Sequence, residues 1–302
     1  MAPPRLGTLL TAMVTPFTAD GEVDLDEAAR LARYLVSEGS DGLVLAGSTG
    51  EGSSLSDEEK LDLFACVAEA VTVPVVAGSS SSNTAQSVAL TARVAATGAA
   101  AVLATTPAYV RPSQGGIASH FAAVADATPL PVMLYDIPSR TGRKVASGTA
   151  IDVATHHANV VALKDASGDL PGAAHVVAVL GGGFDLYSGD DALVLPFMAI
   201  GAVGLVSVAG HWAGPELAAI VDGAARGDWS LARSLNERLG ASCAFESTEA
   251  YPNPLPAKAA LRHLGWAVGE CRAPLGRGDD ELTRRAAQVV ADLVAQRVTA
   301  AK

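Results

Sequence analysis

The sequence has few cysteines and few basic side chains. Its 302 residues include three cysteines, which lie far apart without a Cys-x-x-Cys pair, so we expect reduced, buried thiols in the cytoplasm and no metal site. Lys and Arg total 21 against 32 Asp and Glu, which gives a net charge of −11. Surfaces for nucleic acid or anionic membranes need a clustered excess of basic residues. We therefore expect neither kind of partner.

Long apolar runs are also missing. The most apolar stretch, residues 192–208, is interrupted by Gly, Pro and Ser and is too short for a membrane span. The first ten residues lack the charged-then-apolar layout of a signal peptide, which agrees with a cytoplasmic location. Apolar residues nevertheless make up 49% of the chain. A chain of this size can bury roughly three quarters of its extended surface, so we expect a large core rather than disorder.

Short apolar runs alternate with longer segments of helical periodicity. The runs cover residues 9–14, 42–46, 73–77, 100–104, 131–135, 160–163, 184–187 and 204–208. Strands this uniformly apolar are buried on both faces, as in a parallel sheet. About eight cycles of roughly 25–30 residues predict an α/β fold of the closed (β/α)8, or TIM, barrel type. An open doubly wound sheet is the competing arrangement, and the unbroken series of units favours the barrel.

The strand signal stops after the helical segment at residues 215–225, and the rest of the chain shows helical periodicity only. We therefore predict two parts, a catalytic (β/α)8 barrel over residues 1–226 and a C-terminal helical extension over residues 227–302. Functional residues of such barrels lie at the carboxyl ends of the strands. The candidate catalytic residues are therefore those that follow the predicted strands.

Lys164 directly follows the sixth predicted strand, at the mouth of an apolar barrel. Burial there disfavours the charged form, and a neutral amine can attack a carbonyl group. Tyr135 ends the neighbouring strand, where its phenol can relay protons during carbinolamine formation and dehydration. The alternative interpretations are a lysine paired with Asp165 and an ordinary interface tyrosine.

A glycine-rich turn over residues 47–52 follows the second strand. It has no Gly-Lys-Ser/Thr, which argues against an NTPase. The hydroxyl and backbone N–H groups of Ser48 and Thr49 suit a carboxylate, although an ordinary turn is equally compatible. Arg140 follows Pro138 in a rigid segment, where its guanidinium can bind a carboxylate bidentately. The alternative for Arg140 is a surface salt bridge.

These segments together resemble the pyruvate-dependent Schiff-base aldolase and lyase family, and within it the dihydrodipicolinate synthases. The similar segments span nearly the whole chain: Gly7-Thr8, Thr15-Pro16-Phe17, Lys164-Asp165 and residues 47–51, 134–142, 188–192 and 253–258. The resemblance implies a lyase that condenses pyruvate with L-aspartate-4-semialdehyde in diaminopimelate and lysine biosynthesis. It also implies that no metal or organic cofactor is required.

By that resemblance, Lys164 forms the Schiff base with pyruvate. Thr49, Tyr135 and Tyr109 match the family's proton relay, with Tyr109 donated by the neighbouring subunit of a tight dimer. Two such dimers make up the family's usual homotetramer. The resemblance therefore implies a site that is shared between subunits.

The same resemblance assigns the substrate-binding residues. Ser48 and Thr49 hold the carboxylate of pyruvate, while Gly189 and the Val206 carbonyl group line the site. Arg140 matches the arginine that binds the carboxylate of aspartate semialdehyde.

Two alternative functions remain at this point. Ser48 stands where the synthases usually have Thr, and sialic-acid lyases share the Gly-Ser-Thr-Gly-Glu segment. An aldolase for a 2-keto-3-deoxy sugar acid or a related 2-keto acid is therefore the main alternative, although the sugar-acid lyases generally lack Arg140. A catalytically silent protein that binds a keto acid is the second alternative. The intact set of Lys164, Tyr135 and Thr49 argues against it.

Overall fold

The computed structural model describes residues 6–300, with side chains as far as residue 297. Eight strands lie within this range: β1 (Leu9–Ala12), β2 (Gly42–Leu45), β3 (Val75–Gly78), β4 (Ala101–Thr105), β5 (Val132–Asp136), β6 (Val160–Asp165), β7 (Asp185–Ser188) and β8 (Gly204–Ser207). All pair in parallel, in chain order, and β8 pairs with β1 to close the barrel. The predicted (β/α)8 barrel is confirmed, with a first strand that ends two residues earlier than expected.

Helices connect the strands and cover the outside of the barrel. They are α1 (Leu25–Ser37), α2 (Asp57–Ala70), α3 (Thr84–Val94), α4 (Gln114–Asp126), α5 (Pro138–Thr141), α6 (Ser147–His156), α7 (Leu170–Leu180), α8 (Val194–Ala199) and α9 (Gly210–Ala225). Side chains mark several helix starts, as where Ser56 and Glu59 form a reciprocal capping box for α2. Within the described residues, each helix is too short or too polar to cross a bilayer.

Side chains on the strands alternate between two apolar layers. In β6, Ala162 packs inside the barrel, whereas Leu163 packs in the layer between strands and helices. Because successive side chains of a strand point to opposite faces, Lys164 points into the barrel. The interior is filled by apolar side chains from all the strands, among them Leu10, Val44, Val76, Leu103, Met133, Ala162, Tyr187 and Val206. The alternation of side chains along β6 thus places the Lys164 amine at the end of the apolar barrel interior.

Four further helices follow the barrel: α10 (Trp229–Arg238), α11 (Gly240–Phe245), α12 (Leu255–His263) and α13 (Asp280–Ala300). The loop after α12 returns to the barrel, where the Phe17 N–H group donates to the Val268 carbonyl group at 3.1 Å and the Ala267 N–H group donates to Glu27 at 2.8 Å. We propose that the two parts of the chain divide at residues 226 and 227, directly after α9. Residues 1–5 of the first part and 301–302 of the second lie outside the described residues.

The three cysteines are free thiols. Cys271 is buried as expected, but the expectation is wrong for Cys66 and Cys243, which are partly exposed. Cys66 lies on the barrel helix α2 and Cys243 lies on α11 of the C-terminal extension, and each helix has one side that faces solvent.

A buried ion pair joins the extension to the barrel. Lys258 and Glu51 have no exposed side-chain surface, and the Lys258 Nζ atom lies 2.8 Å from Glu51 Oε1. The same Nζ donates to the Glu270 carbonyl group at 3.0 Å and lies 4.1 Å from the centre of the Phe17 ring. Burial lowers the pKa of Lys258, while the charge of Glu51 acts in the opposite direction. Glu51 Oε2 also accepts a hydrogen bond from the Arg272 N–H group at 2.8 Å.

We predict that Lys258→Met destabilises the protein by about 3–5 kcal/mol, because it leaves the Glu51 carboxylate buried without a counter-charge. Adding Glu51→Gln should recover much of that loss. The matched control is Arg284→Met, which breaks an exposed ion pair with Glu281 and should cost at most about 1 kcal/mol. Urea denaturation measures all three variants. A Lys258→Met protein as stable as the Arg284→Met protein would contradict the prediction.

Candidate active site

Lys164 lies inside the barrel near the end of β6 and is 4% exposed. Its Nζ atom is 4.2 Å from the centre of the ring of Tyr135, the residue opposite it on β5. The expected alternative, an ion pair with Asp165, does not form. Asp165 instead accepts a hydrogen bond from the Ser167 N–H group at 2.7 Å. Within the described residues, Lys164 has no carboxylate partner, so its amine faces the ring and the barrel interior.

Two tyrosines flank Lys164 in the sheet, Tyr135 on β5 and Tyr187 on β7. The Tyr187 hydroxyl group donates to the Gly7 carbonyl group at 2.9 Å, and burial raises the pKa of Tyr187 far above its ordinary value. The Tyr135 hydroxyl group has no hydrogen-bond partner among residues 6–297. Of the two tyrosines, Tyr135 is therefore the one whose hydroxyl group is free of a protein partner among these residues.

Gly189 leaves room for the Lys164 side chain. A Cβ atom at Gly189 would lie 3.1 Å from the Lys164 Cε atom and 2.9 Å from the Ala166 Cβ atom. The Gly189 N–H group donates to the Asp165 carbonyl group at 2.7 Å, which holds the chain close after β7. Val206 lies on β8, fully buried in the barrel interior. Both residues thus belong to the inner surface of the barrel that Lys164 shares.

The carboxylates that directly follow Tyr135 and Lys164 on their strands lie on the other face of the sheet. Asp136 and Asp165 each follow an inward-pointing residue, so their side chains point outward. Asp136 accepts a hydrogen bond from the Val145 N–H group at 3.0 Å. Burial raises the pKa of Asp136 to about 6 and also raises the pKa of Asp165. The inner face therefore keeps the amine apart from negative charge.

The turn over residues 47–52 has an unusual backbone. Ala46 and Glu51 adopt positive φ angles of 50° and 53°, and a Cβ atom at Gly52 would lie 1.9 Å from the Ala46 carbonyl oxygen. Only glycine fits at that position without moving the chain. The backbone N–H groups of Ser48 and Thr49 have no acceptor within residues 6–300. They are available to an anionic ligand, which supports a carboxylate site over an ordinary turn.

Asn253, to which the sequence motifs assigned no role, joins this turn to Arg140. Its Nδ2 atom donates to Thr49 Oγ1 at 2.9 Å, and its backbone carbonyl group accepts from Arg140 Nη2 at 2.8 Å. Arg140, on α5, forms no ion pair within the described residues, so the expected alternative of a salt bridge is not found. Local spacing does not relate Asn253 to Thr49, because the two residues lie 204 positions apart in the sequence. The sequence signal that could have identified Asn253 is its place in the segment Asn-Pro-Leu-Pro-Ala-Lys.

A cleft of about 610 Å³ opens over these residues. Its walls include Ser48, Thr105, Arg140 and Asn253. Lys164 and Tyr135 do not line the cleft, but Thr105 pairs with Tyr135 in register, and Tyr135 pairs with Lys164. The cleft therefore leads to the part of the sheet that holds the amine.

Tyr109 points away from the site of its own chain. It is 92% exposed, its neighbour Val110 is 57% exposed, and its φ angle is 69°. A positive φ angle is uncommon for a residue with a bulky side chain. The structure does not bring Tyr109 together with Thr49 and Tyr135 within one chain.

Comparisons with known proteins agree over nearly the full length. The model of the dihydrodipicolinate synthetase family matches residues 5–293. A 4-hydroxy-tetrahydrodipicolinate synthase from Parasynechococcus marenigrum is 44% identical over 97% of each chain, and one from Moorella thermoacetica is 46% identical over 89% of this chain and 92% of its own. The solved structure of a dihydrodipicolinate synthase from Bacillus anthracis superposes with a TM-score of 0.90 at 38% identity, covering 95% of this chain and 98% of that one. A match of this extent, in sequence and in fold, makes this chain a member of the dihydrodipicolinate synthetase family.

Proposed function

We propose that this chain condenses pyruvate with L-aspartate-4-semialdehyde through a lysine Schiff base, the reaction after which its relatives are named. The observation that carries the proposal is Lys164, a buried amine without a carboxylate partner, 4.2 Å from the Tyr135 ring centre. The enzyme would be a lyase of diaminopimelate and lysine biosynthesis. The chemistry needs no bound metal or organic cofactor, because the imine nitrogen itself accepts electrons from the adjacent carbon.

The first step forms the imine. The Lys164 amine attacks the C2 carbonyl carbon of pyruvate to give a carbinolamine, which loses water to form a C=N bond. The carbonyl oxygen must gain protons before it leaves as water, and Tyr135 and Thr49 supply a route for them, completed by Tyr109 of a neighbouring subunit. The N–H and hydroxyl groups of Ser48 and Thr49 hold the pyruvate carboxylate.

The second step forms the carbon–carbon bond. Loss of a proton from the pyruvate methyl group gives an enamine, whose carbon attacks the aldehyde carbon of the second substrate. Arg140 binds the carboxylate of that substrate. The substrate amine then attacks the imine carbon, a new C–N bond forms, and the bond to Lys164 breaks. Gly189 and the Val206 carbonyl group line the space in which these bonds form and break.

We predict that borohydride reduction in the presence of pyruvate attaches pyruvic acid less one oxygen atom to Lys164. Lys164→Ala and Lys164→Arg should both abolish this adduct, since the guanidinium stays protonated and cannot act as a nucleophile. Lys144→Ala is the matched control, because Lys144 lies outside the barrel in an ion pair with Asp169. Intact-protein mass measurement followed by peptide mapping reads the result. An adduct that persists in Lys164→Ala would overturn the assignment.

A coupled assay then separates the candidate activities. Turnover of aspartate semialdehyde, measured against sugar aldehydes at equal concentration with saturating pyruvate, identifies the second substrate. Preference for a sugar aldehyde would make the chain a 2-keto-3-deoxy sugar acid aldolase. A protein that binds pyruvate without forming an adduct would be a keto-acid sensor.

We also propose a cytoplasmic homo-oligomer, a tetramer built as a dimer of dimers. The support is Tyr109, whose ring is 92% exposed beside the partly exposed Val110. A large apolar ring with a polar tip is well suited to a subunit interface. In such a dimer the Tyr109 ring would complete the site of the neighbouring chain.

We predict that mixing Lys164→Ala and Tyr109→Phe subunits restores partial activity although each variant alone is inactive. In the mixed dimer, one site contains an intact Lys164 together with an intact Tyr109 from its partner. The matched control mixes Lys164→Ala with Tyr135→Phe, which should not complement, because Tyr135 and Lys164 serve the same site within one chain. Inactive Lys164→Ala/Tyr109→Phe heterodimers, verified by native mass spectrometry, would refute the shared site.

A further inference from the structure

Asn253 connects the two ends of the cleft. Its side-chain amide Nδ2 atom donates to Thr49 Oγ1 at 2.9 Å, on the side where the pyruvate carboxylate binds in the proposed function. Its backbone carbonyl group accepts from the Arg140 guanidinium at 2.8 Å, on the side where the aldehyde substrate binds. Asn253 is also one of the residues that line the cleft.

The Asn253 Oδ1 atom is buried and accepts no hydrogen bond from any residue that the structure describes. Buried polar atoms of folded proteins are nearly always hydrogen-bonded, and the exceptions call for an explanation. Here the unpaired acceptor belongs to a side chain that lines a ligand cleft. A ligand that carries a hydrogen-bond donor would satisfy it.

Of the two proposed substrates, only the aldehyde carries such a donor. Pyruvate offers a carboxylate and a keto group, which both accept hydrogen bonds. Aspartate semialdehyde has an amino group on the same carbon atom as its carboxylate. With Arg140 on that carboxylate, the amino group lies close to the guanidinium and therefore close to Asn253, whose backbone carbonyl group accepts a hydrogen bond from the guanidinium.

We propose that Asn253 is a specificity-determining residue whose Oδ1 atom accepts a hydrogen bond from the amino group of the aldehyde substrate, and this rests on the function proposed above. Arg140 and Asn253 then divide the recognition of an amino acid, one binding its carboxylate and the other its nitrogen. Sugar aldehydes lack this pair of groups on one carbon.

A neutral amide suits the later chemistry better than a carboxylate would. The substrate nitrogen must lose a proton and use its lone pair to form the bond to the imine carbon, as the bond from that carbon to Lys164 breaks and the departing amine takes up the proton. An amide oxygen carries no net charge, so it favours the ammonium form over the amine less than a carboxylate would. A carboxylate would favour the ammonium form, which has no lone pair.

The test uses succinate semialdehyde, which equals aspartate semialdehyde without the amino group. Asn253→Ala should raise the KM for aspartate semialdehyde about ten- to a hundredfold, the range for a lost hydrogen bond to a charged group. Its inhibition constant for succinate semialdehyde should change by less than about threefold, within the variation of a neutral contact. Arg140→Ala is the matched control and should weaken both compounds equally, because both carry the carboxylate. Equal weakening of both by Asn253→Ala would mean that Asn253 only orients Thr49 and Arg140, and would overturn the proposal.

A second variant covers the case in which Asn253→Ala does not fold. Asn253→Asp has nearly the same shape, and it should move the rising limb of the kcat profile to higher pH, since its charge stabilises the ammonium form of the substrate. A profile that stays in place would count against contact with the amino group. A separate result would contradict the proposed function rather than the role of Asn253. In that case the unaltered protein forms a pyruvate adduct but does not consume aspartate semialdehyde.

Discussion

The buried ion pair between Lys258 and Glu51 is the contact on which the arrangement of the site depends. Taking both charges out of water is costly, and a buried pair persists only where its geometry and further hydrogen bonds compensate. Here the Glu270 carbonyl group and the Arg272 N–H group provide these bonds. Because Glu51 ends the turn that carries Ser48 and Thr49, the pair holds that turn against the C-terminal extension.

The extension is consequently part of the site rather than an appendage to the barrel. Asn253 comes five residues before Lys258 on the same segment. The ion pair between Lys258 and Glu51 therefore also helps to fix the position of Asn253 at the cleft. From there Asn253 reaches Thr49 with its side chain and Arg140 with its backbone. The barrel carries Lys164, the proposed nucleophile, and the extension carries Asn253, which contacts two of the proposed substrate-binding residues.

The sequence was sufficient for the barrel and for the position of Lys164 near the end of a strand, because both follow from local patterns: apolar runs at regular spacing, and a lysine where such a run ends. Contacts between distant segments were not predictable in this way. No periodicity in the sequence relates Asn253 to Thr49. Likewise, Lys164 forms no ion pair with its neighbour Asp165 because the two side chains occupy opposite faces of β6. The direction of the Tyr109 ring depends on a local φ angle of 69°, which the residue type does not predict.

Strand alternation also explains how an amine can act as a nucleophile in a protein of net charge −11. Asp136 and Asp165 directly follow Tyr135 and Lys164. A shift of one residue in β5 would place the Asp136 carboxylate beside the amine, and the same shift in β6 would turn Lys164 out of the barrel and Asp165 into it. A carboxylate there would hold the lysine protonated, and a protonated amine has no lone pair for attack on a carbonyl carbon. The outward position of the two aspartates, with their backbone N–H partners at Val145 and Ser167, is therefore a condition for the imine formation proposed at Lys164.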